Sequence, residues 1–184
     1  GGFLVKNNYE KHLQFIQANG IIKEQSGGKW GTVPESADRR NQGGERMHGE
    51  FEHNIDAKGR LFIPAKLREK LGSSFIITKG LDGCLFVYSA EAWDVLEEKI
   101  NQLPMSRSRN LQRFFFSSAA DCAPDSQGRV LIPQNLREYA GLQKEVTVIG
   151  VSGRVEIWDK RRWQEYNGEL TSDSIAEAME DLGF

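Results

Sequence analysis

An internal repeat is the feature that most constrains this chain of 184 residues. Moving the sequence by 69 positions aligns residues 56–72 (DAKGRLFIPAKLREKLG) with residues 125–141 (DSQGRVLIPQNLREYAG), and nine of these seventeen positions are identical. A shift of 70 then aligns three further pairs: Gly80 with Gly150, Gly83 with Gly153, and Trp93 with Trp163. The body of the chain therefore consists of two copies of one unit of about 45 residues.

A unit of this size cannot bury enough apolar surface to fold alone, so the two copies must share one core. The expected fold class is mixed, β-rich α+β. We expect the two units to form one pseudo-two-fold barrel with flanking helices, in which strands of each copy complete the sheet of the other. That arrangement would place the turns at residues 56–60 and 125–129, which we call the first turn and the second turn, on one face.

Each copy shows the same succession of local signals. A glycine-containing turn leads into an apolar strand, a proline ends that strand and begins a short helix, and a glycine closes the helix. The predicted strands are 52–55, 60–63, 75–79 and 85–88 in the first copy and 120–123, 129–132, 145–149 and 154–158 in the second. The predicted helices are 65–71, 90–102 with Ser89 as its cap, 106–117, 134–140, and one that opens at Asp159.

The predicted organisation has five parts. They are a leader or extension (1–46), the first repeat (47–96), a helical linker (97–118), the second repeat (119–166) and an acidic tail (167–184). Residues 9–22 are amphipathic and predict a short helix, whereas residues 24–46 have the composition of a linker. Codons for residues 42–45 can spell a ribosome-binding site, so Met47 is a candidate start; the alternative is a genuine flexible arm.

The charge distribution permits nucleic-acid binding without demonstrating it. The whole chain has a net charge of -2, but residues 47–163 hold 17 basic and 15 acidic side chains and sum to +2. No basic residue follows Arg162, so the acidic tail masks a mildly basic body. No apolar run approaches the roughly 20 residues that a membrane-spanning helix needs.

The two turns carry the functional signal. Asp56 can hold Arg60 by charge-assisted hydrogen bonds across the first turn, and Asp125 can hold Arg129 across the second, with Gly59 and Gly128 shaping the backbone. One interpretation is that each pair only rigidifies a hairpin. The other is that rigid turns display Lys58, Arg60 and Arg129 to a polyanion, because arginine is the commonest reader of guanine and lysine binds phosphates.

The residue inventory argues against an enzyme. The three histidines all precede residue 54, and the chain has no glycine-rich phosphate loop, nucleophile elbow or zinc-ligand spacing. Asp56 and Asp125 could imitate a catalytic pair, but each has a nearby arginine and nothing in the sequence indicates a perturbed acid. We expect no catalytic residue, no metal, no cofactor and no small-molecule substrate.

Residues from Met47 to about Tyr166 resemble the MraZ family of bacterial transcriptional regulators. The matching motifs are GEF-x-HNID-x-KGR at residues 49–60, the two Ile-Pro-x-x-Leu-Arg-Glu segments, GLDGCL at residues 80–85 and QNLR at residues 134–137. The resemblance covers both repeats and the linker.

The resemblance implies a tandem AbrB-like swapped-hairpin barrel, assembled as a homo-oligomeric ring. It further implies sequence-specific binding to direct repeats of double-stranded DNA in the promoter of the division and cell-wall gene cluster, with control of its own operon. The expected location is the cytoplasm, on the nucleoid. By the same match Arg60 and Arg129 are the expected DNA contacts, Lys58 is a helper, and Asp56 and Asp125 orient the arginines. Gln127, which replaces the lysine in the second turn, is also expected to be a DNA-binding residue.

The rival interpretation is an oligomeric scaffold that does not bind DNA, in which the turns contact a protein partner and the acidic tail recruits another. The second turn departs from the first, because Gln127 stands where the first has Lys58. We therefore expect weaker phosphate attraction at the second turn.

Overall fold

The computed structural model describes residues 47–180. The strands are β1 (Met47–Asn54), β2 (Arg60–Phe62), β3 (Phe75–Lys79), β4 (Leu85–Ser89), β5 (Ala120–Cys122), β6 (Arg129–Leu131), β7 (Glu145–Ser152) and β8 (Val155–Asp159). The α-helices are α1 (Ala65–Leu71), α2 (Ala90–Asn101), α3 (Met105–Phe115), α4 (Gln134–Tyr139), α5 (Lys160–Glu169) and α6 (Ser172–Glu180). The protein is thus mixed α+β, with a large antiparallel sheet.

The two repeats exchange strands. The six-stranded sheet has the order β1-β7-β8-β4-β3-β5, and a second sheet pairs β2 with β6. Strand β1 of the first repeat lies against β7 of the second, from Met47 opposite Ser152 to Asn54 opposite Glu145. Strand β5 of the second repeat lies against β3 of the first. Each repeat therefore contributes its leading strand to the hairpin of the other, as the shared-core expectation requires.

The two-stranded sheet lies on the pseudo-two-fold axis. Leu61 pairs with Val130 at its centre, and these two positions are equivalent in the repeat. The pairing is extended at both ends by equivalent backbone bonds, Ile63 N–H to the Gly128 carbonyl at 3.1 Å and Ile132 N–H to the Gly59 carbonyl at 3.0 Å. The end of each turn is consequently bonded to the other repeat.

Both repeats fill one core with equivalent residues. The pairs Leu61 with Val130, Ile63 with Ile132, Leu67 with Leu136, and Leu71 with Ala140 are each at most 1% exposed and belong to one cluster. Burying a side chain of this kind contributes about 1.5–3 kcal/mol. Equivalent residues of the two repeats therefore form a single core, and each repeat covers apolar surface that the other would expose.

Helices α2 and α3 cover a second apolar cluster. It contains Cys84, Phe86, Ile100, Phe115, Ile149 and Trp158, with Trp93 and Trp163 packed against it. Phe115 is 9% exposed, and Phe114 and Phe116 pack against the same cluster, so the Phe triplet serves the core. Two polar contacts also join the repeats: the Tyr139 hydroxyl donates to the Gly80 carbonyl and Arg162 Nη1 donates to the Gly83 carbonyl.

The local signals in the sequence locate most element ends. Helix α1 has its predicted bounds, and Gly72 and Gly141 follow their helices with φ of 87° and 61°. The Ser89 hydroxyl accepts from Ala92 N–H and caps α2, while Asp159 caps α5. Strand β1 begins at Met47 rather than residue 52, because its partner β7 is itself three residues longer than predicted.

The expectations for residues 1–46, including a helix at residues 9–22, lie outside the described residues. Within the described part of the chain, residues 47–168 form one compact unit and residues 169–180 belong to another. Helix α6 belongs to the second of these and has Asp173 in its first turn.

We expect Gly150→Ala to destabilise the protein by about 1–3 kcal/mol, as overpacking typically does. A Cβ at Gly150 would lie 2.7 Å from the Met47 carbonyl carbon and 2.8 Å from the His48 nitrogen, so β1 must shift off β7. Urea denaturation of the purified variant measures the change. Gly153→Ala is the matched control, because nothing lies within 4 Å of its added Cβ. Equal stability of the two variants would refute the close packing of β1 on β7.

Candidate nucleic-acid interface

The first turn and the second turn have the same backbone geometry. In the first, Asp56 N–H donates to the Arg60 carbonyl at 2.9 Å and Gly59 N–H donates to the Asp56 carbonyl at 2.9 Å. The equivalent bonds of the second turn both measure 2.8 Å, and both glycines have φ of 79°. A left-handed backbone at this position explains why each turn carries glycine.

Each aspartate divides its two oxygens between two tasks. Oδ1 of Asp56 accepts from the backbone N–H groups of Lys58 and Arg60, both at 2.9 Å, and so shapes the turn. Oδ2 accepts from Nε of Arg60 at 2.7 Å and lies 2.7 Å from Nη2. The guanidinium is therefore held along one edge, and its other edge remains available for a ligand.

The second turn repeats this arrangement, which we call the clasp: an aspartate that bonds the turn backbone through Oδ1 and the arginine side chain through Oδ2. Oδ1 of Asp125 accepts from the backbone N–H groups of Gln127 and Arg129, both at 2.9 Å. Its Oδ2 lies 2.9 Å from Nε and 2.8 Å from Nη2 of Arg129. The side chains of Arg60 and Arg129 are 29% and 31% exposed, so both are ordered by their partners yet reachable from solvent.

The clasps keep both carboxyl groups ionised. Side-chain and backbone hydrogen bonds from Arg60 lower the pKa of Asp56 from 3.8 to about 2, and the corresponding bonds from Arg129 lower the pKa of Asp125 to about 2. Hydrogen bonds to a carboxylate favour its charged form. The sequence contained no sign of a perturbed acid, but the shift is downward, which is opposite to what a general acid at neutral pH requires.

The pairing of β2 with β6 brings the two turns together. Nη1 of Arg60 lies 4.0 Å from Oδ2 of Asp125 in the other repeat. Arg60 pairs with Leu131 and Phe62 pairs with Arg129 across the two strands. Since Leu61 and Val130 between them point into the core, Arg60, Phe62, Arg129 and Leu131 form the outward side of the sheet, which we call the ribbon face.

Two arginines that sequence reasoning did not assign to the site cover the turn glycines. A Cβ built on Gly59 would lie 2.9 Å from Cζ of Arg137, and one built on Gly128 would overlap the guanidinium of Arg68. Arg68 and Arg137 are equivalent in the repeat, and each comes from the helix of the opposite repeat. The recurring Leu-Arg-Glu segment is a signal in the sequence that could have identified both arginines. Their contacts with the turn glycines could not be predicted from it, because those contacts depend on how the two repeats exchange strands.

The remaining residues of the predicted site lie at the tips. Lys58 and Gln127 are both exposed. The tip of the first turn therefore carries a positive charge, whereas the tip of the second carries a neutral amide. The basic groups gathered around the paired turns are thus Lys58, Arg60, Arg68, Arg129 and Arg137. This is an arginine-rich surface on a rigid two-stranded ribbon, which suits a polyanion.

The part of the chain that the structure describes shows neither a metal-ligand cluster nor a membrane-spanning helix. Between residues 47 and 180, no group of three His, Cys, Asp or Glu side chains is placed to hold a metal ion. Within the same residues, no helix has the length and apolar character needed to cross a membrane. Cys84 and Cys122 are free, and burial raises the pKa of both thiols.

The fold and the paired turns define a class of protein with two tandem α+β repeats that exchange strands around an arginine-bearing ribbon. The chain belongs to the MraZ family: the family model described as "MraZ protein, putative antitoxin-like" matches residues 47–113 and 115–183. Each matched segment contains one of the two repeats, so the family match and the internal repeat describe the same twofold division of the chain.

Several relatives share this similarity over nearly their whole length. The chain is 56% identical over 141 residues to "Transcriptional regulator MraZ" of Acetivibrio thermocellus, covering 74% of this chain and 99% of the relative. It is 56% identical over 138 residues to the protein of the same name from Pelotomaculum thermopropionicum, covering 73% and 95%. The protein of that name from Clostridium beijerinckii is 54% identical over 138 residues, covering 73% and 97%.

The clasps make stability depend on pH in the acid range. Because the pKa of each aspartate is lower in the folded state, its contribution is present above the ordinary pKa of 3.8 and is lost as the pH falls towards about 2. We expect Asp56→Asn/Asp125→Asn to lose stability at neutral pH and to show a flatter decline between pH 4 and pH 2 than the wild type. Thermal unfolding between pH 2 and pH 7 measures both profiles.

The matched control is Asp94→Asn, at an exposed position of α2. It should reproduce the acid decline of the wild type. Parallel profiles for the wild type and the double variant would contradict the role of the clasps.

Proposed function

We propose that this protein is a sequence-specific DNA-binding transcriptional regulator that uses the ribbon face. The observation that carries the proposal is the pairing of β2 with β6, which sets Arg60 and Arg129 on one face with each guanidinium fixed by an aspartate. The relatives described above are called transcriptional regulators, which agrees with the proposal.

The chemistry of the clasped arginines suits base reading. A guanidinium has five N–H donors, and the aspartate occupies only the edge formed by Nε and Nη2. The edge that remains can donate two parallel hydrogen bonds, and guanine presents O6 and N7 in the major groove to accept them. Holding the arginine beforehand also reduces the entropy lost on binding.

The shape of the surface supports the same conclusion. A two-stranded β-ribbon fits the major groove of B-form DNA. Lys58 at the tip of the first turn can neutralise a phosphate, and Arg68 and Arg137 are near enough to the turns to do the same. Gln127 offers hydrogen bonds without a charge, so the first turn should attract the DNA backbone more strongly.

The proposal extends to the assembly and to the target. We place the two repeats in a tandem AbrB-like swapped-hairpin barrel, which the exchange of β1 and β5 supports. We propose that several protomers form a ring on direct repeats in the promoter of the division and cell-wall gene cluster, including the protein's own operon. The protein would then act in the cytoplasm, on the nucleoid.

We expect Arg60→Ala/Arg129→Ala to fold normally and to lose DNA binding, at about 1–3 kcal/mol for each guanine contact removed. Gel shifts on a duplex from the region upstream of the protein's own gene, repeated at rising salt, measure the loss. Binding by the wild type should weaken steeply with salt, since phosphate contacts release counterions. An oligomeric scaffold that does not bind DNA would give no shift with any of these proteins.

The single variants test the inequality of the turns. Arg60→Ala should weaken binding more than Arg129→Ala, because Lys58 supports the first turn and Gln127 stands in the second. Arg161→Ala is the matched control: its side chain is 86% exposed, pairs with Glu165 on α5 and belongs to neither turn. Unchanged binding in the Arg60→Ala/Arg129→Ala double variant would overturn the assignment of the site.

We expect affinity to rise sharply with the number of DNA repeats. One barrel presents few cations on a mildly basic body, whereas linked sites gain about 10²–10⁴ in effective affinity without new contacts. Native mass spectrometry should find several protomers in one assembly, and a duplex with three repeats should bind far more tightly than one with a single repeat. A monomer that binds both duplexes equally would contradict the ring.

A further inference from the structure

Two apolar side chains share the ribbon face with the clasped arginines. Phe62 is 38% exposed and Leu131 is 58% exposed, although their strand neighbours Leu61 and Val130 are buried. Phe62 lies directly opposite Arg129, and Leu131 lies directly opposite Arg60. The two are equivalent in the repeat, so each half of the ribbon presents one arginine and one apolar group.

The environment of Phe62 holds its ring on this face. The ring centroid is 5.3 Å from that of His53 on β1, and the Arg68 guanidinium carbon is 5.7 Å from it on another side. A Cβ built on Gly128 would lie 3.2 Å from Cε2 of Phe62, so the ring also borders the second turn. Phe62 is therefore positioned by both repeats, yet more than a third of it faces solvent.

The position of these groups matters more than their exposure. Single apolar residues are common on protein surfaces and carry no meaning alone. Here both occupy the one surface that the proposed function brings into the major groove. In that groove thymine is distinguished from cytosine by its C5-methyl group, which is recognised by apolar contact.

Resting on the proposed function, we propose that Phe62 and Leu131 read thymine methyl groups next to the guanines bound by Arg129 and Arg60. Side chains directly opposite across two strands have Cβ atoms about 4.5–5.5 Å apart. Bases along one DNA strand are separated by about 3.4 Å. Each arginine and the apolar side chain opposite it therefore span one or two base steps, so each of these cross-strand pairs recognises a guanine together with a nearby thymine.

The test pairs a change in the protein with a change in the DNA. The probe is a duplex from the region upstream of the protein's own gene, made once with thymine and once with deoxyuridine, which lacks the methyl group. We expect the wild type to bind the deoxyuridine duplex more weakly, by about fourfold for each methyl contact, as the burial of one such group implies. Phe62→Ala/Leu131→Ala should bind the thymine duplex more weakly and should respond far less to the substitution.

Met105→Ala is the matched control. Met105 is an apolar residue on α3 that is 82% exposed, so its variant removes exposed apolar surface away from the ribbon face. It should keep the full response to deoxyuridine. Circular dichroism and native mass spectrometry on each variant report the fold and the assembly, and both should match the wild type.

The outcomes separate this inference from the proposed function. If the wild type shows no salt-sensitive binding to either duplex, the proposed function fails and the inference fails with it. If the wild type binds both duplexes equally, or the Phe62→Ala/Leu131→Ala variant keeps the full deoxyuridine response, the inference alone is overturned. A smaller assembly in that variant with an unchanged deoxyuridine response would assign the face to contacts between copies and would also overturn it.

Discussion

The antiparallel pairing of β2 with β6 is the interaction on which the rest of this structure depends. It joins two sequence repeats that are each too small to bury a sufficient core. Its inner side supplies Leu61 and Val130 to that core, and its outer side is the ribbon face. One short pairing therefore decides both how the protein is stabilised and where its functional groups are displayed.

The same pairing explains how a small, exposed surface can be rigid. The backbone of each turn is fixed by its own aspartate and by a hydrogen bond from the residue that follows the end of the opposite strand. The side chains are fixed as well, because Oδ2 of each aspartate holds one edge of an arginine. Exposed ion pairs contribute only modestly to stability, so the main effect of these clasps is to present the guanidinium groups in one orientation.

Much of the fold could be predicted because its signals are local and occur twice. Glycine, proline and apolar alternation located the turns, α1 and most strands, and the aligned copies implied a shared core. Membership of the MraZ family, inferred from motifs such as residues 49–60 and 80–85, was confirmed. Asp56, Arg60, Asp125 and Arg129 could be grouped because a four-residue spacing across a tight turn limits where each side chain can reach.

The rest of the site could not be predicted because it depends on contacts between residues far apart in sequence. Nothing local indicates that Arg68 covers Gly128 or that Arg137 covers Gly59. The exposure of Phe62 was equally hidden, since an apolar residue in a short strand normally indicates the core. Only the register of β2 against β6 shows which alternate positions face outward.

The crossed packing of the helix arginines on the turn glycines has a consequence for how such a protein can change. Because Arg68 belongs to one repeat and Gly128 to the other, the shape of each turn is partly encoded in the opposite half of the gene. In a chimaera that takes one repeat from this chain and one from a relative, each turn glycine would pack against a helix residue of the other parent. A substitution at either helix arginine therefore changes the surroundings of the turn in the opposite repeat.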